Sequence, residues 1–326
     1  MSPLGARPVC IWNPAAGAGL SEPDVRRILS EVPGSDRIRL AVTAAPRDAE
    51  RHARDAVREG ASALIVAGGD GTLHETVNGL PEAADTVPLG ILPLGTANDF
   101  VRSAGLPSDP VEAARLLATG SPRRVDLILV ELTSEEGSVE RRRAVNSCAG
   151  GLGGEVSLQA SDDDKARWGP LAYAKAALGL LTGEPDPCEV RVRFTSGSGE
   201  SSLHGPVLAI IVSNGGRAGG GVTLAAGAEV DDRLLDLIVI RDAPLPSIAT
   251  RLPCLLRDRA DAEDARDTGQ EEDASAILRR AIRRADIAVA RVIPWSLDGE
   301  STQAKRIRLS VDAGGLTVIA RRVERD

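Results

Sequence analysis

The stretch Ala63-Leu64-Ile65-Val66-Ala67-Gly68-Gly69-Asp70-Gly71-Thr72 decides the fold. Five apolar residues run without a polar break, the pattern of a strand covered on both faces in a parallel sheet. The segment that follows, Thr72 to Leu80, lacks strand alternation and reads as a helix. Between them lie three glycines, Gly68, Gly69 and Gly71, whose freedom lets successive backbone N–H groups curl towards an anion. A helix N-terminus adds positive partial charge at the same place. Thr72 adds a hydroxyl donor. Asp70 would repel a phosphate unless a cation stands between them, which is the logic of a Mg2+·ATP site. Asp-Gly between apolar runs is also the commonest hairpin signal, but the helical texture after Thr72 argues against it.

Moving outward, the same rhythm repeats. Strands are expected at Pro8 to Trp12, Arg37 to Val42 and Val87 to Leu92. Helices are expected at Asp24 to Ser30, Pro46 to Glu59, Ala97 to Ala104 and Asp109 to Ala118. In the second of these, Ala49, Ala53, Ala56 and Val57 should face inward. This alternation predicts an α/β N-terminal domain with a parallel sheet over residues 1–121. Ligands of such sheets bind outside the carboxyl ends of the strands. Two further small loops follow strand ends there, Asn13-Pro14-Ala15-Ala16-Gly17 with Ala18-Gly19, and Pro93-Leu94-Gly95-Thr96-Ala97-Asn98-Asp99-Phe100. Three such loops converging on one crevice make a candidate phosphate site.

From about Arg123 strand-like runs dominate, predicting a mostly antiparallel β domain over residues 122–326, with return of the last strand to the first domain left open. Expected strands include Val125 to Leu132, Arg141 to Cys148, Pro206 to Val212, Leu234 to Ile240 and Asp286 to Val292. One inserted helix, Leu171 to Leu181, and a charged loop, Arg257 to Asp273, complete it. A lipid pocket is expected in the apolar interior, between the strands and the inserted helix. Arg279, Arg280, Arg283 and Arg284 read as neighbours on a helix face, able to meet anionic head groups or simply solvent. Arg141 to Arg143 is read the same way.

Composition narrows the partners. The 326 residues are 42% apolar but only 2% aromatic, and the net charge is −8. No stacking platform and no global basic footprint exists for nucleic acid. Four scattered cysteines give neither a zinc pattern nor a disulfide framework. Met1 to Asn13 is too short in apolar residues for a signal-peptide core. The longest apolar runs are far below the ~20 residues that span a bilayer. A cytoplasmic protein that visits the membrane surface is expected, with oligomeric state left open, a homodimer included. Walker A, His-Arg-Asp and G-x-G-x-x-G signatures are all missing.

At these residues the chain resembles the bacterial diacylglycerol kinase and lipid kinase family, which is related to sphingosine kinases. Gly68 to Thr72 with Glu75 and Asn78 is similar to the GGDGT signature shared with NAD kinases and phosphofructokinases, and implies their N-terminal fold. Pro93 to Phe100 (PLGTANDF) resembles the lipid-kinase motif, and Asn13 to Gly17 its NPxxG opening. Lys165 to Tyr173, Asn214 to Gly221, Asp231 to Asp236 and Leu297-Asp298-Gly299-Glu300 follow in the family's order.

The resemblance implies an ATP- and Mg2+-dependent kinase of a lipid hydroxyl, diacylglycerol leading. Asn13, Pro14, Ala15, Ala16, Gly17, Thr43, Gly68, Gly69, Asp70, Gly71, Thr72, Glu75, Gly95, Thr96 and Asn98 would meet the nucleotide. Asp70, Asp99 and Asp126 would form the acidic network of the catalytic magnesium. Glu229, Asp232 and Leu234 would hold a second, structural metal. Asp298 is favoured as the base, with Glu300 orienting or replacing it. Two positions depart from the family: His74 for the usual Asn, read as a surface change, and Arg233 for the usual Gly. The alternatives are an NAD-kinase-like enzyme of a soluble substrate and a non-catalytic lipid-binding regulator.

Overall fold

Every residue of β3 (Ala63–Gly68) is buried, because the strand lies between β1 (Pro8–Trp12) and β4 (Leu89–Pro93) and pairs with both in parallel. β2 (Arg39–Val42) pairs in parallel on the far side of β1. This order, β4-β3-β1-β2, comes from a computed structural model that describes residues 3–17, 19–81, 87–152, 154, 186–197, 199–218, 222–256 and 275–321. The expected helix Leu171 to Leu181, the segment Lys165 to Tyr173 and the charged loop Arg257 to Asp273 lie outside the described residues. The chain divides into two units, Met1–Asp126 with Ala313–Asp326, and Leu127–Asp312. The division falls inside β5 (Ser121–Thr133), later than the change of texture at 121.

In the first unit the sheet is flanked by α1 (Glu22–Leu29), α2 (Asp48–Arg58), α3 (Asp70–Gly79), α4 (Asp99–Ser103) and α5 (Pro110–Thr119). Local chemistry explains their starts. Asp109 caps α5 by accepting from the N–H groups of Val111 and Glu112, both at 2.9 Å, and Pro110 supplies a preset first residue. α2 buries Ala49, Glu50, Ala53 and Ala56, so Glu50 takes the inward place expected of Val57. Its carboxylate answers Arg47 and Arg54. The small faces of α2 and α3 meet so closely that a side chain at Gly79 would strike the Glu50 carbonyl. The final segment of β15 (Glu300–Ala320) lies parallel to β4, with Val318 opposite Leu89.

The second unit is built from antiparallel pairs. β7 (Ser147–Gly151) and β8 (Cys188–Ser196) each pair with both β9 (Gly199–Ser213) and β14 (Arg284–Leu297). β12 (Leu235–Arg241) joins β9 to β13 (Ile277–Ile282). β5 pairs with β6 (Val139–Ala144), and a short β10 (Arg217–Ala218) faces β11 (Val222–Thr223). Alternation along β8 puts Val190, Val192 and Phe194 in the core with Ile287, Leu309 and Trp295. Each such buried side chain contributes roughly 1.5–3 kcal/mol.

Two expectations are corrected here. Arg141 to Cys148 is not one strand: it breaks at Val145–Asn146 between β6 and β7. Arg279 to Arg284 is not a helix but the end of β13, a turn at Arg283 and the start of β14. Period-two pairing separates side chains that a helix would bring together.

Candidate functional site

Three loops leave the carboxyl ends of β1, β3 and β4 in the first unit. They are held to one another by backbone and side-chain bonds. Asn13 N–H donates to the Ala67 carbonyl at 3.0 Å, and Leu94 N–H to the Gly68 carbonyl at 2.9 Å. The Asn13 amide donates to the Thr72 hydroxyl at 3.1 Å, and its oxygen accepts from Ala15 N–H at 2.9 Å. Thr43, just past β2, donates its N–H to the Trp12 carbonyl.

Glycine is required at the seams. Gly17 has φ 62°, and a Cβ there would collide with the Leu94 carbonyl. A Cβ on Gly95 would lie 2.5 Å from the Gly69 Cα and 2.8 Å from the Asn98 Oδ1. Gly71, by contrast, faces open space and is exposed at the start of α3. Gly69 gives that helix no side-chain cap, so its first N–H groups point outward, the arrangement that receives a phosphate. Thr96 is exposed on the third loop.

Asp70 ties the second loop to the third. Its Oδ2 accepts from Asp99 N–H at 3.0 Å and its Oδ1 from Phe100 N–H at 3.1 Å. It therefore caps α4, whose preceding residue, Asn98, sits at φ 49° with its amide on the Gly95 carbonyl at 2.7 Å. Glu75 is turned the other way: it accepts from the N–H groups of Arg47 and Ala49 and fixes the start of α2. His74, expected at the surface, is buried at 6% exposure beside Asn78, because α3 is covered by α2 on that side.

The acidic residues do not gather into a cage. Among the described residues no three His, Cys, Asp or Glu side chains assemble as a metal site. Asp99 and Asp126 are buried, and Asp126 accepts from Gly314 N–H at 2.7 Å. Mg2+ entering with a nucleotide's phosphates would need few protein ligands. In the second unit, Asp232 Oδ1 accepts from Leu234 N–H at 2.9 Å, Glu229 is exposed, and Arg233 sits at φ 65°. Among the described residues no group of three His, Cys, Asp or Glu side chains forms at that turn.

Asp298, also in the second unit, has φ 51°. Its Oδ2 accepts from Val145 N–H at 2.7 Å, and its Oδ1 from Asn146 and Ser147 N–H at 2.8 and 2.9 Å. The carboxylate thus holds the break between β6 and β7. Glu300, two residues on, is exposed. Cys10 and Cys148 are placed as core residues: burial pushes the Cys10 thiol up to about 12 and raises that of Cys148 as well.

The diacylglycerol kinase catalytic domain family matches residues 7–130, and the YegS C-terminal NAD kinase beta sandwich-like domain matches residues 146–320. A probable lipid kinase YegS-like of Stenotrophomonas maltophilia (strain K279a) is 32% identical over 85% of each chain. The chain belongs to the YegS-like lipid kinase family. A YegS-like relative from Pseudomonas aeruginosa (strain UCBPP-PA14) is 34% identical, covering 86% of this chain and 83% of its own. A crystal structure of a diacylglycerol kinase from Bacillus anthracis str. Sterne superposes with TM-score 0.66 at 20% identity, over 97% of both chains. Yeast NADH kinase complexed with NADH gives TM-score 0.54 at 12% identity, over 97% of this chain and 84% of its own. The last two show a shared fold. Set against the YegS-like family, the second matched domain begins at 146, at the turn that Asp298 fastens.

One functional-looking pair had no sequence signal. Arg279 and Asp236 form a buried ion pair at 3.0 Å, and Arg279 also donates to the Ala226 carbonyl at 2.7 Å. They are 43 residues apart, and only the register of β12 with β13 brings them together.

Proposed function

We propose that this chain transfers the γ-phosphoryl group of Mg2+·ATP to a lipid hydroxyl, diacylglycerol being the leading acceptor and phosphatidic acid its product. The observation that carries the reading is the cradle formed by Asn13–Gly17, Gly68–Thr72 and Gly95–Asn98, in which packed glycines leave backbone N–H groups at an open helix start. Family membership supports the lipid as acceptor.

In this reading Gly69, Gly71 and Gly95 let the backbone approach the phosphates, Thr72 and Thr96 offer hydroxyl donors, and Asn13 orients Thr72. Asp70 keeps the second and third loops in register. Mg2+ entering with the nucleotide would supply charge neutralisation during transfer. The lipid oxygen attacks the γ-phosphorus, the bond to the bridging oxygen of ADP breaks, and the hydroxyl proton needs an acceptor, for which the carboxylates of the Asp298–Glu300 turn are the candidates. Asp298 is the base that the resemblance favours, but its carboxylate is taken up by three amides of the turn, so our reading moves the proton to Glu300, whose side chain is exposed. The lipid is reached from the membrane surface. Among the described residues no helix is long and apolar enough to cross a membrane.

A radiolabelled-ATP assay against diacylglycerol, phosphatidylglycerol, ceramide and sphingoid bases, with NAD in parallel, tests the reading. Labelled phosphatidic acid from wild type, and its loss in Asp70→Asn and Glu300→Gln, is the expected result. Turnover with NAD and none with any lipid would sink it.

A further inference from the structure

We infer that the outer face of the second unit's sheet, across β9, β8, β14 and β15, docks on an anionic phospholipid bilayer; the choice of a bilayer rests on the lipid-kinase reading. The register lays out the face in rows. One row carries His204, Arg191, Ala288 and Arg306. The next carries Ser202, Arg193, Asp286 and Arg308. The third carries Glu200, Thr195, Arg284 and Ser310. Their strand neighbours Val192, Phe194, Ile287 and Leu309 point into the core, so the rows share the opposite face.

Five guanidinium groups thus meet three carboxylates, Glu200, Asp286 and, two residues before Arg191 on the same side of β8, the exposed Glu189, on a chain whose net charge is −8. Asp286 is already consumed. It accepts from Arg306 at 2.8 and 2.5 Å, from Arg308 at 3.3 Å and from Arg193 at 3.4 Å. Arg306 above all holds its carboxyl below the usual range, with Arg308 adding to the effect. At the border Glu131 is matched by Arg141 at 2.9 Å and lies 3.7 Å from Arg308. Arg191 and Arg284 make no ion pair or side-chain hydrogen bond among the described residues.

Arg193, Arg284, Thr195 and Ser202 line an open cavity of about 450 Å³ together with the carboxylates of Glu200 and Asp286. Guanidinium and hydroxyl donors around an open cavity suit lipid phosphates.

The full chain would be sedimented with vesicles of phosphatidylcholine alone, and of phosphatidylcholine and phosphatidylglycerol in equal amounts. Wild type should pellet with the mixed vesicles only, and less so as sodium chloride rises. Arg191→Ala/Arg284→Ala should lower that partitioning about thirtyfold, at roughly fivefold per charge near the surface. Arg191→Lys/Arg284→Lys should keep most of it. Both variants should melt as wild type and phosphorylate lipid dispersed in neutral detergent at the wild-type rate. Equal binding to both vesicles overturns the proposal, and so does wild-type binding by the double alanine variant. Displacement by sodium phosphate beyond chloride of equal ionic strength would make the face a small-anion site and also overturn it. If no lipid is phosphorylated in detergent while vesicle binding behaves as stated, the kinase reading falls and the docking face stands.

Discussion

Arg233 occupies the left-handed region at φ 65°, where a side chain costs about 1–2 kcal/mol and glycine does not. Arg233→Gly should therefore raise stability by about 1 kcal/mol, read as a higher midpoint of chemical denaturation at unchanged slope. Gly95 presents the reverse case. A methyl group there would push against Gly69 and Asn98 and force the second and third cradle loops apart. Gly95→Ala should weaken ATP binding by about tenfold or more, with isothermal titration as the check. Both residues illustrate what a sequence discloses. Glycines in a conspicuous motif announce a seam, and the GGDGT and PLGTANDF stretches were legible for that reason. The surroundings of His74 were not, since helix position alone does not say which neighbour covers it.

At the scale of elements, one carboxylate often decides where a segment begins. Asp70 caps α4 through two N–H groups, and losing such a cap costs about 0.5–2 kcal/mol. Asp70→Ala should lower the melting temperature and abolish ATP turnover together. Asp298 fastens three successive N–H groups at the β6–β7 break, so Asp298→Ala should destabilise the second unit, whereas Glu300→Gln should leave the melting temperature within error and act on turnover alone. A Glu300→Gln variant with full lipid kinase activity would show that the proton leaves by another group. Strand order and period were readable along β1, β3, β4 and β8. The break at Val145 was not, because its cause lies about 150 residues away, at Asp298.

For the whole molecule, charge placed by register matters more than charge counted along the chain. The Arg279–Asp236 pair is 3% and 0% exposed, and removing one partner of a buried pair costs about 3–5 kcal/mol. Arg279→Met should destabilise the protein by that order in urea titration, and Arg279→Met/Asp236→Leu should recover much of the loss. On the outer face, Asp286 has its carboxyl held low by Arg306. A depressed carboxylate lends stability above its unfolded value and withdraws it as pH falls through the folded one. Asp286→Asn should therefore lower stability at neutral pH and flatten the acid limb of the stability curve below about pH 4. A reader of the sequence sees runs such as Arg279 to Arg284 and assigns them one face; pairing sends Arg279 inward and Arg284 out.

The last strand carries a consequence for synthesis. Residues Ala313 onward complete a sheet begun by Pro8, so the α/β unit cannot close until the β unit between them has been synthesised. A ribosome must finish the β unit before the α/β unit receives its final edge. A fragment ending at Asp126 would leave the flank of β4 bare and prone to self-association, and grafting 313–320 after a short glycine-serine tether should restore a monodisperse species in gel filtration.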